Sequence, residues 1–153
     1  MSKKSVLALL LGANLYCNFN LIRPINKVDK ELLPYVNSYT ETIQEFCYHF
    51  EYSIPNQRTV IFSDSMPLEI LGVCEINILG NYTIKINKVM WPYLSNEDKI
   101  QLAYHELTHC MLGVKHSDNI DNFMYETLHS RPLYKTLIQL TDIMKERCTR
   151  WKK

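Results

Sequence analysis

The apolar positions of this chain change their period several times, and each change marks an element. Between Pro34 and Ser53, the residues Val36, Tyr39, Ile43, Phe46 or Cys47, and Phe50 recur at intervals of three and four, which is the repeat of one helical face. Pro34 is tolerated in the first turn, and Pro55 stands past the end, where it cannot continue the helix. Thr59 to Ser63 is a short apolar run rich in branched side chains and predicts a central strand. Val73 to Leu79 and Tyr82 to Val89 alternate instead, and Gly80-Asn81 between them suits a tight two-residue hairpin turn. That alternation sends Ile84 and Ile86 to the core and Thr83, Lys85 and Asn87 to solvent.

The helical period returns after Ser95. Ser95 and Asp98 form a capping pair, and Glu97 and Asp98 place negative charge in the first turn, where the helix dipole favours it. Ile100, Ala103, Leu107, Cys110, Met111 and Val114 fall within an arc of roughly 100°. This is the predicted buried face. His105 and His109 fall on the opposite side, flanked by Leu102 and Leu112, and so look across a cleft. Gly113 is free to take the left-handed conformation that ends a helix. A last helix from Pro132 to Cys148 turns Leu133, Leu137, Leu140 and Met144 inward. The sum is an α+β domain: a small mixed sheet with an N-terminal helix, a histidine-bearing helix and a C-terminal helix.

At 153 residues the chain is one domain, too short for a catalytic unit plus a separate binding module. With 46% hydrophobic and 22% charged residues and four glycines, it shows no low complexity, and neither repeats nor a linker interrupt it. A net charge of +1, with both signs intermixed, excludes the clustered positive charge on which nucleic-acid binding depends. The basic Arg147 to Lys153 stretch reads as a solvated tail.

Lys3 and Lys4 precede an apolar run from Val6 to Ala13, the pattern of a secretory leader and too short to span a bilayer. Residues 1–17 are therefore set apart as a leader and 18–153 as the domain, and the expected location is secreted or periplasmic. Cys17 invites lipidation, which Tyr16 and Leu15 fit badly. The alternative is a cytoplasmic protein whose first segment is buried. Of the five cysteines, Cys47, Cys74, Cys110 and Cys148 allow three disulfide pairings. Cys110 lies on the buried face of the histidine helix and Cys74 in the strand placed behind it, which favours Cys74 with Cys110 and leaves Cys47 with Cys148. In a reducing compartment all would be small buried hydrophobes.

The chemistry concentrates in His105-Glu106-Leu107-Thr108-His109. Two histidines four apart on a helix lie one turn above each other, so their imidazoles can grip one ion. Glu106, about 100° round the same helix, can hold a water beside that ion without being a ligand. His116 supplies a third imidazole. Three neutral imidazoles leave the fourth tetrahedral position of Zn2+ open, the mark of a catalytic site. Asp118 and Asp121 are candidates to orient an imidazole, although loop acids are ordinarily solvated. Trp91 is placed over the entrance to the helix, and His49 and His129 at the surface or cleft rim.

These residues resemble the metzincin clan of zinc metallopeptidases, whose signature H-E-x-x-H-x-x-G-x-x-H is followed by a turn carrying a methionine beneath the metal. His105, Glu106, His109, Gly113, His116 and Met124 fill those places, except that three residues, not two, separate His109 from Gly113. The extra residue advances a helix by about 100°, so the third ligand needs a longer helix or a different exit turn. The longer spacing is similar to that of small bacterial and phage metallopeptidases. The strict motif covers residues 105 to 124, with a weaker likeness in strand order back to residue 59.

The resemblance implies a monomeric zinc endopeptidase of zincin fold acting on a peptide or protein substrate. It implies Glu106 as general base and Met124 as a hydrophobic floor under the metal. The substrate would lie along the sheet edge as an added strand. In several metzincins a tyrosine two residues past the methionine stabilises the transition state; that place is Glu126 here, with Tyr125 one early, so Tyr125 and Tyr134 are the candidates. Two rivals stay open. Gly72-Val73-Cys74 resembles the context in which a peptide-deformylase-like amidase takes its third ligand from a cysteine, which would make Cys74 a ligand and His116 incidental. The other rival is a zinc-stabilised interaction protein that cleaves nothing.

Overall fold

The branched run ending at Ser63 becomes an interior strand, as its composition demands. In the computed structural model, which describes residues 25–46 and 57–150, β1 spans Ile25–Val28, β2 Gln57–Ser63, β3 Gly72–Ile76 and β4 Tyr82–Asn87. They form one sheet in the order β1-β2-β4-β3, in which β2 runs parallel to both β1 and β4 and β3 runs antiparallel to β4 at the edge. Helix α1 (Leu33–Phe46) connects β1 towards β2, α2 (Asn96–Leu112) carries the histidines, and α3 (Leu133–Arg150) closes the chain. This is the α+β architecture the patterning predicts. Strand β1 was not anticipated: Ile-Asn-Lys-Val is four residues long and half polar, too short for a period to register.

The β3–β4 hairpin departs from the expected two-residue turn. Asn77 pairs with Asn81 through its backbone N–H at 2.9 Å, so three residues, Ile78 to Gly80, form the loop. Asn77 Oδ1 accepts from the N–H groups of Leu79 and Asn81. Gly80, at φ 76°, supplies the left-handed position of such loops.

Asn87 also departs from the alternation. It is buried, its side chain donating to the carbonyls of Pro67 and Ile70 and accepting from the N–H groups of Val89 and Met90. A buried amide with both ends satisfied is stable where an unpaired one is not, and this one ties the 64–71 loop to the turn before α2.

Helix α2 begins and ends as its sequence dictates. Ser95 Oγ accepts from the Asp98 N–H at 3.1 Å, and Gly113 (φ 63°, ψ 29°) ends the helix in the left-handed conformation. Its burial does not follow the predicted single face. Every residue from Gln101 to Thr108 is buried, because the helix packs against β3 and β4 on one side and α1 and α3 on others. Such a helix is the centre of a core. Its polar residues are accommodated individually: the Tyr39 hydroxyl donates to Thr108 Oγ1 at 3.0 Å, while Thr108 Oγ1 donates to the Tyr104 carbonyl.

Tyr39, Ile43, Ile84, Ile86, Leu107, Phe123, Met124, Leu140 and Met144 form the centre of that core. In α3 the inward stripe holds Leu140 and Met144 but not Leu137, which is exposed; Thr136 takes the inner position. Trp91 lies in a short 3-10 turn, buried against Tyr35 and Phe62, with its indole N–H donating to Glu31, so it belongs to the core and not to a cleft entrance. The Cys74–Cys110 disulfide is present, joining the edge strand to α2. The leader with Cys17, the later part of the first predicted helix, Cys47 with its proposed bond to Cys148, and His49 lie outside the described residues. Among the described residues no helix is long and apolar enough to cross a membrane.

Candidate metal centre

The histidine site is assembled by one helix and one loop. His105 and His109 lie one turn apart on α2, and the helix then runs a further turn to Leu112 before Gly113 reverses it. The helix thus takes up the additional residue between His109 and Gly113, and the chain returns His116 to the other two. One ligand atom from each of His105, His109 and His116 lies within 4.8 Å of the others.

Both helix histidines are oriented by backbone carbonyls. His105 Nδ1 donates to the carbonyl oxygen of Phe123 at 2.8 Å, and His109 Nδ1 to that of Val114. A carbonyl oxygen cannot donate, so each Nδ1 carries the hydrogen and each Nε2 presents a lone pair. Those two Nε2 atoms stand 2.9 Å apart. Two facing lone pairs repel on their own and are relieved by a shared cation, so the donor set fits a metal ion. Burial, reinforced by His109, His116 and Arg131, pushes the His105 pKa down to about 4 against the opposing Phe123 bond. Burial, with His116, lowers that of His109 as well. At neutral pH both imidazoles are uncharged, as ligands must be.

Glu106 stands beside this cluster, 5% exposed, and burial pushes its carboxyl up to about 7. A cavity of about 400 Å³ opens next to it, lined by His105, His116, Leu71, Leu102, Glu126 and Leu128 among others. A second, more open one is lined by Val73, Cys74, Val114 and Lys115. The two share Gly72, Glu106 and His116, so a continuous cleft passes the histidines along β3.

Other residues singled out by the sequence fall elsewhere. Met124 is buried, its carbonyl accepting from the Ser117 N–H, and this bond together with the Ser117–Tyr125 bridge holds the loop against the segment carrying His116. Tyr125 is half-buried against the His129 ring and Tyr134 is 60% exposed on α3; neither lines the cavities at the histidines, whereas Glu126 does. Asp118 and Asp121 are exposed, and the imidazoles of His105 and His109 are oriented by carbonyls instead. Cys74 is bonded to Cys110, so its sulfur is not free to be the third ligand of the deformylase-like alternative.

Sequence reasoning missed Phe123 and Val114, whose backbone atoms carry no residue-type signal. It also missed Gln139, whose side chain accepts from the Phe123 N–H at 2.8 Å and donates to the Asp121 carbonyl at 2.9 Å.

Neither the curated proteins nor the solved structures contain a match to this chain. A family model described as "Putative phage metallopeptidase" matches residues 37–136, a span that runs from α1 through the histidines and the Met124 loop into α3. The histidine cluster and a matched span covering most of the chain lead to one conclusion: the protein belongs to this phage metallopeptidase family.

Proposed function

We propose that the protein is a zinc-dependent endopeptidase of metzincin type, with His105, His109 and His116 as ligands and Glu106 as general base. The observation that carries this reading is Glu106: a carboxyl buried at the junction of two cavities, beside three imidazoles whose ligand atoms converge. Zinc, when bound there, would supply Lewis acidity and lower the pKa of a water towards neutrality. The carboxylate of Glu106 takes the proton from the attacking water and passes it to the leaving amine nitrogen, a task suited to a group that titrates near neutrality. Strand β3 is the edge of the sheet, so an extended peptide can hydrogen-bond to its free side and lie across Glu106. The Cys74–Cys110 disulfide supports placing the reaction in an oxidising, extracytoplasmic compartment.

The test is metal analysis of the purified protein with a broad peptide-library cleavage screen, repeated for Glu106→Gln. The expected result is one zinc per chain in both and a loss of hydrolysis of about 10²-fold or more in the variant. A zinc-loaded parent that cleaves nothing would overturn the reading in favour of the zinc-stabilised interaction protein.

A further inference from the structure

The three described glycines differ in what they are for. Gly80 and Gly113 occupy positive-φ positions and have open space where a side chain would go. Gly72 is the reverse: its φ is not in the left-handed region, so an L-residue fits its backbone, yet a Cβ there would stand 2.8 Å from both Cγ and Oε1 of Glu106. The obstacle to a side chain at position 72 is therefore the Glu106 side chain, from Cγ to the carboxylate.

We infer that Gly72 is the positioning residue for Glu106, keeping the first residue of the edge strand free of a side chain so that the carboxylate can lie against β3 where a paired peptide passes. Two further features fit. Gly72 opens the strand and is the residue of β3 that lines both cavities, together with Glu106 and His116. Glycine is also a poor choice for a strand on conformational grounds, so its presence here answers to a neighbour and not to the strand. An alanine would be accommodated by swinging the Glu106 side chain away, from Cγ outward, which carries the carboxylate off its place against β3. A misplacement of about 1 Å in a reacting group costs on the order of 10²-fold in rate.

The inference rests on the proposed general-base role of Glu106, and the test separates the two. Gly72→Ala is compared with the parent. The substrate is the peptide cleaved fastest in a quenched-fluorescent library, and zinc content and Tm are measured alongside. The expected result for Gly72→Ala is a fall in kcat of about 10- to 100-fold with KM within about threefold, full zinc and no loss of Tm. A kcat within about twofold of the parent, or a fall that accompanies zinc loss, overturns the inference. A thermal cycle of Gly72→Ala, Glu106→Ala and the double variant decides the same contact without activity, since touching residues couple and independent ones add. Gly72→Ala is expected to raise Tm more when Glu106 is absent; additive shifts overturn the inference. If the parent cleaves no peptide, the endopeptidase reading has failed while this cycle still decides the contact.

Discussion

The carbonyl oxygen of Phe123 accepts the Nδ1 hydrogen of His105 at 2.8 Å, and it does so from a loop that Gln139 of α3 holds at both Phe123 and Asp121. The carbonyl that fixes the tautomer of a proposed metal ligand thus sits on a loop held by a glutamine that sequence reasoning never considered. Gln139→Leu removes both anchors without touching the histidines. We expect it to weaken metal binding by about 10-fold or more, the usual cost of losing an outer contact. Competition against a chromophoric chelator reads this directly, and an unchanged affinity would show that the Phe123 carbonyl stays in place without Gln139.

The ligand set can be separated from its deformylase-like rival by metal stoichiometry. His116→Ala should bind zinc far more weakly than the parent, while Cys74→Ser combined with Cys110→Ser should retain it, because the sulfur atoms are bonded to each other. The double variant should still be less stable by about 3 to 4 kcal/mol, the chain-entropy expectation for a sequence separation of 36. Metal content on one hand and urea denaturation on the other check the two halves.

The buried carboxyl of Glu106 makes the metal-free protein sensitive to pH. Its folded pKa of about 7 lies above the ordinary glutamate value of 4.5. The stability it contributes is therefore fully present below pH 4.5 and is lost as pH rises through about 7. The loss amounts to up to about 3 kcal/mol for a shift of this size. Glu106→Gln is neutral throughout, so it should be more stable than the parent above pH 7, with the gap closing by pH 4.5. His105 titrates in the opposite sense, its lowered pKa removing stability as pH falls, and it cancels in the difference because both proteins carry it. Urea titrations in the presence of a chelator across pH 4 to 8 would show the gap, and a constant difference would contradict it.

Asn87 should be among the most sensitive positions in the sheet. Asn87→Leu keeps the branched shape but strands four backbone groups, at Pro67, Ile70, Val89 and Met90. The expected cost is about 3 kcal/mol or more. The 64–71 loop should become open to protease, which limited digestion would reveal; a native digestion pattern would show that the backbone bond from the Asn87 N–H to the Leu71 carbonyl suffices.

What could be read from the sequence was whatever depends on near neighbours. The i, i+4 pair His105 and His109, the Ser95 cap and the Gly113 stop are local, and each appears in the structure where the chain predicts it. The pairing of Cys74 with Cys110 followed from two correctly placed elements. What escaped depends on partners far along the chain. Periodicity placed Asn87 outside because it cannot see the Pro67 and Ile70 carbonyls that make an inward amide stable. It gave α2 one buried face because Gln101, Glu106 and Thr108 are polar, although Tyr39 of α1 covers Thr108 and Gly72 of β3 lies against Glu106. The inner stripe of α3 shifted from Leu137 to Thr136, one residue away and so about 100° round the helix.

The Cys74–Cys110 bond has a consequence for how a peptide would be read. It closes a covalent ring whose 36-residue span begins on the edge strand and ends on the helix that carries His105, Glu106 and His109. A strand laid against β3 would therefore be docked on a rail bolted to the histidine-bearing helix. On the proposed reading, the gauge between peptide backbone and carboxylate would be set by a covalent bond, and a tug on the substrate would be transmitted to α2 without opening the gap between them.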